Sequence, residues 1–459
     1  MSKVEIPLRP ANSHFTDKQW QAVYDKGDNI LISASAGSGK TTVLVERVIQ
    51  HVKAGTNVDE LLIVTYTEAA AKEMKQRIQV AVQSAINEES DLEKRQHLIK
   101  QLNLLPTAPI STLHAFCLTV IRKYYYLIHI DPVFRLLTDE TEITLLKEDV
   151  WEDVREKLYG DKQKEFYELT ENFSNDRNDD GLTKLIFSLA SFALSNTEPR
   201  EWLDKLTKHY EVEGSIINSE LYQDFMKPSL VKDLTHLIER SNELINQTIG
   251  EPDFEKTLSV FESDKVLLTN ILRLVEEDNL DACYTSFLQG KFATIKGPSK
   301  KTSPEEVMEV YEELKKERDL IKKQFGALKK NYFTLSPEKM LELIQLSEPL
   351  VREMVFVCQT YLSAFNKQKE EKNLVDFNDL EHMTLSILRE LDGDEFKASE
   401  ASLFYRSKFK EVLVDEYQDV NRLQEGILYW LRRPELNEGN LFMVGDVKQS
   451  IYAFRLADP

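Results

Sequence analysis

Ala34-Ser35-Ala36-Gly37-Ser38-Gly39-Lys40-Thr41, or ASAGSGKT, lies between an apolar run, DNILIS at 28–33, and a stretch of helical apolar spacing, TTVLVERVIQHVKAG, that stops at Gly55. A glycine-rich turn between a buried strand and a helix is the setting in which backbone N–H groups cradle phosphate. Gly37 and Gly39 let the backbone approach phosphate oxygens closely. In that reading Lys40 reaches the β- and γ-phosphates and Thr41 holds Mg²⁺. Ala34 stands where the general pattern has glycine. The alternative, a chance glycine-rich turn, is disfavoured by the strand-then-helix context.

Outward from this loop the same alternation recurs. ELLIVT at 60–65 reads as a buried strand and EAAAKEMKQRIQVAV as the helix after it. API ahead of Ser111 precedes a helix beginning near Leu113. Strand patterning returns in FKEVLVD at 409–415 and NLFMVGD at 440–446, each ending in an aspartate. The expectation is an α/β protein with a parallel sheet covered by helices on both faces. Between about 126 and 372 strand-like runs nearly vanish and helical periodicity dominates, as in Val307, Val310, Leu314, Ile321, Phe325 and Leu328. Ser336-Pro337 reads as an N-cap with proline at the first helical position, opening a helix that runs past Phe365. NFSNDRNDDG at 172–181 and QGKFATIKGPSKKTSP at 289–304 read as loops.

The chain has 459 residues, about three domains' worth at about 150 residues each, with 42% hydrophobic and 30% charged residues. That composition excludes collagen-like, disulfide-rich and wholly disordered classes. No apolar run approaches the roughly 20 residues that cross a bilayer. MSKVEIPLRPANSHF has no signal-peptide core, and Cys117, Cys283 and Cys358 form no CxxC pair, so a reducing cytoplasm is expected. A net charge of −20 argues against indiscriminate nucleic-acid binding but leaves a local basic groove open.

VLVDEYQD, Val412 to Asp419, delivers Asp415 and Glu416 to a strand end. With the phosphate loop, Asp415 is the expected Mg²⁺ ligand and Glu416 the general base for water. In MVGDVKQSIYAFR, Met443 to Arg455, Gln449 offers an amide that senses the γ-phosphate, and Phe454-Arg455 a ring and a cation for a nucleotide. Thr65, Tyr66 and Thr67 end another strand, and Thr112, His114 and Phe116 lie in STLHAFC; each group alone is more often core and capping. Gln19, in FTDKQWQAV, can read an adenine edge, although a plain surface glutamine is its commoner role.

Taken in order, FTDKQ, ASAGSGKTT, TYTEAAAKEM, STLHAF, DEYQD and GDVKQSIYAFR resemble the Q-motif and motifs I, Ia, Ic, II and III of superfamily 1A DNA helicases, the UvrD/Rep/PcrA/RecB group. Within it, LVDFNDLEHM, with Phe377 and Asp379, and the segment at 175–203 resemble the AddA (RexA) chains of the helicase–nucleases of Gram-positive bacteria. The resemblance implies a RecA-like P-loop sheet with a helical insertion: 1–125 and 373–459 as the two parts of motor lobe 1A, 126–372 as insertion 1B. It implies ATP bound by Gln19, Ala34, Ser35, Ala36, Gly37, Ser38, Gly39, Lys40, Thr41, Thr42, Gln418 and Arg455, and Mg²⁺ on Thr41 and Asp415. Lys40, Asp415, Glu416 and Gln449 fall on catalytic positions, and Thr65, Tyr66, Thr112, His114 and Phe454 on DNA-touching ones. Tyr66 stands where phenylalanine is commoner, Phe454 where tryptophan is, and Thr42 where arginine is frequent.

The activity implied is that of one chain of an ATP-dependent DNA helicase/nuclease, translocating on a single strand and unwinding duplex ends for double-strand break repair. Its partner would be a B subunit (AddB/RexB). The sequence stops after the third motif, so an N-terminal part of something longer is expected, weak in hydrolysis by itself. The rival reading is a regulatory P-loop protein that binds nucleotide without helicase activity.

Overall fold

The apolar runs flanking the glycine-rich loop form one parallel sheet. In a computed structural model describing residues 6–35, 37–161, 164–174, 178–299, 303–435, 438–446 and 448, its strands are β1 (Ile30–Ser33), β2 (Leu61–Thr65), β3 (Ile110–Thr112), β4 (Glu411–Val414) and β5 (Leu441–Gly445). They lie in the order β1-β5-β4-β2-β3, every pair parallel. The two strands from the far end of the chain thus wedge between β1 and β2. Register pairs Ser33 with Gly445, Val64 with Val414 and Thr65 with Thr112, so the C-terminal strand ends line up along one edge.

The middle strands are buried along their length and apolar except at Glu411 and Thr65, because both faces are covered. The period of two then splits each strand between two cores. Leu61 and Ile63 pack under α1 (Asp17–Tyr24), α2 (Lys40–Lys53) and α3 (Glu68–Glu88), with Leu44, Val48 and Ile78 among their neighbours. Leu62 and Val64 pack on the other face with Phe116 and Val120 of α4 (Leu113–Tyr124), Leu380 of α5 (Phe377–Leu388) and Ile427 of α6 (Arg422–Leu431). β1, at one edge, alternates in burial and leaves Leu31 58% exposed. A two-stranded antiparallel ribbon, Arg389–Asp392 with Glu395–Ala398, was not expected; it turns at Gly393, whose φ of 65° suits glycine.

The chain divides into two compact units. One holds the sheet and comprises Met1–Asp161, Ser174–Trp202 and Cys358–Pro459; the other comprises Lys162–Phe173 and Leu203–Val357. By contacts, helices Glu140–Gly160 and Asp180–Leu194 group with the sheet-bearing unit. The second unit is built on helices Lys227–Thr248, Glu255–Glu276, Leu280–Gln289 and Glu305–Tyr332, around a core including Leu234, Phe261, Leu268, Phe287 and Phe325. On Glu305–Tyr332 the apolar stripe is buried at Leu314, Ile321, Phe325 and Leu328, but Val310 is exposed and Tyr311 takes the inward place. The helix expected at Ser336-Pro337 is Pro337–Glu371. Among the described residues, no helix is long and apolar enough to cross a membrane.

Candidate functional site

Gly37 and Gly39 both sit in the left-handed region, at φ 73° and 81°. A side chain there is costly, and a Cβ on Gly39 would come 3.3 Å from Gln19 Nε2. Gly39 caps α2 without any side-chain hydrogen bond, so the backbone donors of the first helical turn face the loop. Such a terminus suits an anion. Ser38 Oγ is buried with no hydrogen-bond partner, a polar atom that a phosphate oxygen would satisfy. The loop is tied to the sheet by the Ala34 N–H on the Gly445 carbonyl at 3.0 Å, and closed by the Ser38 N–H on the Ser35 carbonyl at 3.2 Å. Thr42 is exposed on α2, and Ala36 lies outside the described residues.

β4 carries Asp415 and Glu416 to the loop. Lys40 Nζ lies 3.2 Å from Glu416 Oε2. Glu416 adopts φ 53°, ψ 47°, a left-handed conformation that costs a non-glycine residue about 1–2 kcal/mol. Its carboxylate also accepts Gln418 Nε2 at 2.8 Å, while Gln418 Oε1 accepts the Asp446 N–H at 2.9 Å. Burial, with the adjacent Glu416 charge, pushes the Asp415 carboxyl up to about 6. Burial and Glu416 also raise Asp419, whose Oδ1 is buried without a partner.

Thr41, Asp415, Glu416, Gln418 and Asp419 share a cavity of about 400 Å³. A hydroxyl and a carboxylate fit a hard divalent cation. Among the described residues no cluster of three or more His, Cys, Asp or Glu forms a closed metal cage.

A larger cavity, about 830 Å³, lies on the other side of the loop and includes Thr16, Gln19, Asp25, Ser38 and Lys40. Gln19 is held at both ends of its amide: Oε1 accepts the Thr16 N–H at 2.7 Å and Nε2 donates to the Ser38 carbonyl at 2.7 Å. One donor hydrogen and one acceptor lone pair remain for an adenine edge.

Thr65, Tyr66, Thr112 and His114 converge on a further cavity of about 400 Å³, with Asp415 and Asp419 on its wall. Two hydroxyls there act locally. Thr112 Oγ1 accepts the Ala115 N–H at the start of α4, and buried Thr65 donates to the Thr67 carbonyl. His114 is set by neighbours the sequence did not single out as site residues: Nε2 lies 2.9 Å from Glu381 Oε1, and the ring packs on Phe377 at 4.7 Å. Gln424 donates to the same Glu381 oxygen at 2.7 Å. Gln449, Phe454 and Arg455 lie outside the described residues.

Sequence reading also missed a buried pair, Arg47 and Glu411. The available signal was a charge breaking each apolar pattern, TTVLVERVIQ and FKEVLVD.

The model of the UvrD/REP helicase N-terminal domain matches residues 15–459. The chain belongs to this family. It is similar over its whole length to the A subunit of the ATP-dependent helicase/nuclease of Enterococcus faecalis, 55% identical and covering 36% of that protein. It is 44% identical to the protein of the same name from Latilactobacillus sakei, over 98% of this chain and 50% of the relative. With that of Bacillus cytotoxicus it shares 40%, over 99% of this chain and 36% of the relative. The chain therefore spans between a third and a half of the length of these relatives. Family membership agrees with the sheet: the RecA-like α/β fold and the superfamily resemblance both hold.

Proposed function

We propose that this UvrD/REP-family chain is the ATP-binding motor portion of an ATP-dependent DNA helicase/nuclease, which works on single strands and duplex ends in double-strand break repair. The observation that carries this reading is the meeting of Lys40, Glu416 and Gln418 along one edge of the sheet, beside the loop of Gly37 and Gly39. Lys40 and the loop N–H groups bind the triphosphate, with Gln19 on the adenine. Thr41 and Asp415 hold Mg²⁺, which when bound neutralises charge on the phosphates. Glu416 takes the proton of the attacking water. Its present cationic partner is Lys40.

Gln418 joins Glu416 to the end of β5, just before the segment holding Gln449, Phe454 and Arg455. In this reading Gln449 senses the γ-phosphate, Arg455 contacts the nucleotide, and Phe454 stacks on a base. Tyr66 and His114, with Thr65 and Thr112, line the strand-facing side. The helical segment at 126–372 is the insertion of lobe 1A, and a B subunit completes a heterodimer in the cytoplasm. The test uses the full-length protein: ATP hydrolysis with and without single-stranded DNA, and duplex unwinding, each in parent and Lys40→Ala. DNA-stimulated hydrolysis and unwinding, both abolished in the variant, are expected. Nucleotide binding without DNA stimulation would favour the regulatory P-loop reading.

A further inference from the structure

Arg47 lies two turns into α2, on the helix that begins at Lys40, and is 1% exposed. Its guanidinium meets three other elements. Nε donates to Glu411 Oε2 at 2.9 Å and Nη2 to the second oxygen, a bidentate pair at the start of β4. The guanidinium carbon sits 4.3 Å from the centre of the Phe442 ring on β5. Nη1 donates to the carbonyls of Ala22 and Val23, at 2.8 and 3.3 Å, in the last turn of α1. Burial alone would raise Glu411, yet His51 and Arg47 beside it hold its carboxyl below the usual value, so the pair is ionised.

The α1 contacts matter most. α1 has eight residues and no basic residue in its own last turn. A helix this short is not stable alone, and its final carbonyls need partners. Its first turn carries Gln19, fixed there by reciprocal capping with Thr16. The register of Gln19 against Ser38 and Gly39 therefore depends on where the other end of α1 is held. Arg47 holds that end from the helix that begins where the phosphate loop ends.

We infer that Arg47 is a positioning residue for nucleobase selectivity: by capping α1 it sets the Gln19 amide at the height of an adenine edge, relative to the loop that fixes the phosphates. The inference rests on the nucleotide reading above and adds a residue that touches no nucleotide itself. A guanidinium is required. Lysine keeps the charge but cannot serve two carboxylate oxygens and two carbonyls at once.

The experiment measures binding of ATP, GTP and tripolyphosphate, each with Mg²⁺, to the intact chain. The variants are Arg47→Lys, the paired Arg47→Met/Glu411→Leu, Gln19→Ala and Arg47→Lys/Gln19→Ala. Replacing both buried charges with apolar side chains guards against a stranded carboxylate and misfolding. Thermal melts report which variants are folded. The preference for ATP over GTP should fall by about tenfold in the folded Arg47 variants, the scale of one bidentate base contact, while tripolyphosphate binding holds within about twofold. Arg47→Lys should add nothing further on top of Gln19→Ala, because both act through one amide. An unchanged ATP preference in a folded Arg47 variant would overturn the inference. So would parallel loss of tripolyphosphate binding, or additive effects of the two substitutions. A parent that binds tripolyphosphate but does not distinguish ATP from GTP would remove the adenine role of Gln19 itself; a parent that binds none of the three would remove the nucleotide reading.

Discussion

Gln418 Oε1 accepts the backbone N–H of Asp446 at 2.9 Å, joining the end of β4 to the end of β5 through one side chain. The same amide donates to Glu416 Oε2, and a Cβ on Gly445 would come 2.8 Å from Gln418 Oε1. The bare glycine admits the amide. A change at the Glu416 carboxylate is thus one side chain away from the backbone that leads on from β5. Neutral amides serve here because they accept and donate at once, which neither a carboxylate nor an ammonium does.

If Gln418 owes its place to Gly445, then Gly445→Ala, whose Cβ would meet Gln418, should push the amide away from Glu416 while the Gly445 carbonyl keeps its bond to the Ala34 N–H. ATP affinity should stay within about twofold, while DNA-stimulated hydrolysis in the full-length protein falls about tenfold, less than the roughly 100-fold or more for outright loss of a catalytic group. Equal ATPase rates in parent and variant would show that Gln418 does not act through Gly445.

Glu416 is read as the base, and Glu416→Gln tests that by keeping the shape and removing the basic oxygen. Turnover should drop by at least about 100-fold with binding of Mg·ATP retained. The substitution also removes the charge facing Lys40, so nucleotide binding should tighten slightly, not weaken. Calorimetric titration beside a steady-state ATPase assay separates the two effects.

Asp415 gives the site a pH dependence whose sign is fixed. Its carboxyl is pushed from an ordinary 3.8 up to about 6, by burial first and by Glu416 second. A raised carboxyl favours the fold while protonated. That contribution is complete below the unfolded value and is lost as pH rises through about 6. Mg²⁺ needs the ionised form, so cation binding must expel the proton below about pH 6. Mg²⁺-dependent ATP affinity should weaken on acidification, approaching about tenfold per pH unit well below that value. ATP titrates as well, so the quantity to measure is the difference between parent and Asp415→Asn across pH 5 to 8, with about one proton at stake. Identical pH profiles in the two proteins would remove Asp415 from the metal site.

Much of this arrangement was legible in the sequence. ELLIVT and NLFMVGD read as buried strands and both lie inside the sheet, and the loop's Gly37 and Gly39 are left-handed, as a phosphate cradle needs. What escaped were contacts whose partners are remote in the chain. Arg47 and Glu411 are 364 residues apart, and each is an ordinary charge until both are seen buried together. His114 drew notice for its motif, but Glu381, its partner, lies on a different helix where nothing local distinguishes it from a solvated glutamate. Val310 erred for another reason: at a helix position shared by two neighbouring faces, the larger ring of Tyr311 took the core side.

The lysine-rich segment beginning at Lys291 is better built than a solubilising loop requires. Within the second unit it has no regular secondary structure, yet Arg318 donates to the Ala293 carbonyl at 2.6 Å and Thr257 to the Lys296 carbonyl at 2.9 Å. Arg318 is itself held by buried Asp264, and Phe292 and Ile295 pack against the unit's core. Gly297 lies against the Tyr311 ring, where a Cβ has no room. Lys291 and Lys296 are left exposed on a segment pinned between them, while Lys300 and Lys301 lie outside the described residues. In a chain of net charge −20, a fixed basic strap with no acidic residue suits the phosphates of DNA. Replacing Lys291, Lys296, Lys300 and Lys301 with alanine in the full-length protein should weaken duplex binding and lower its salt slope by about one unit for each phosphate that no longer has a lysine partner. Thr257→Val, which frees the strap and keeps every lysine, should weaken binding at low salt while leaving that slope nearly unchanged, since the charges remain and only their placement is disturbed. Affinities measured across a salt series for parent and both variants decide it: superimposable lines for the fourfold variant would mean that the strap's lysines meet water alone.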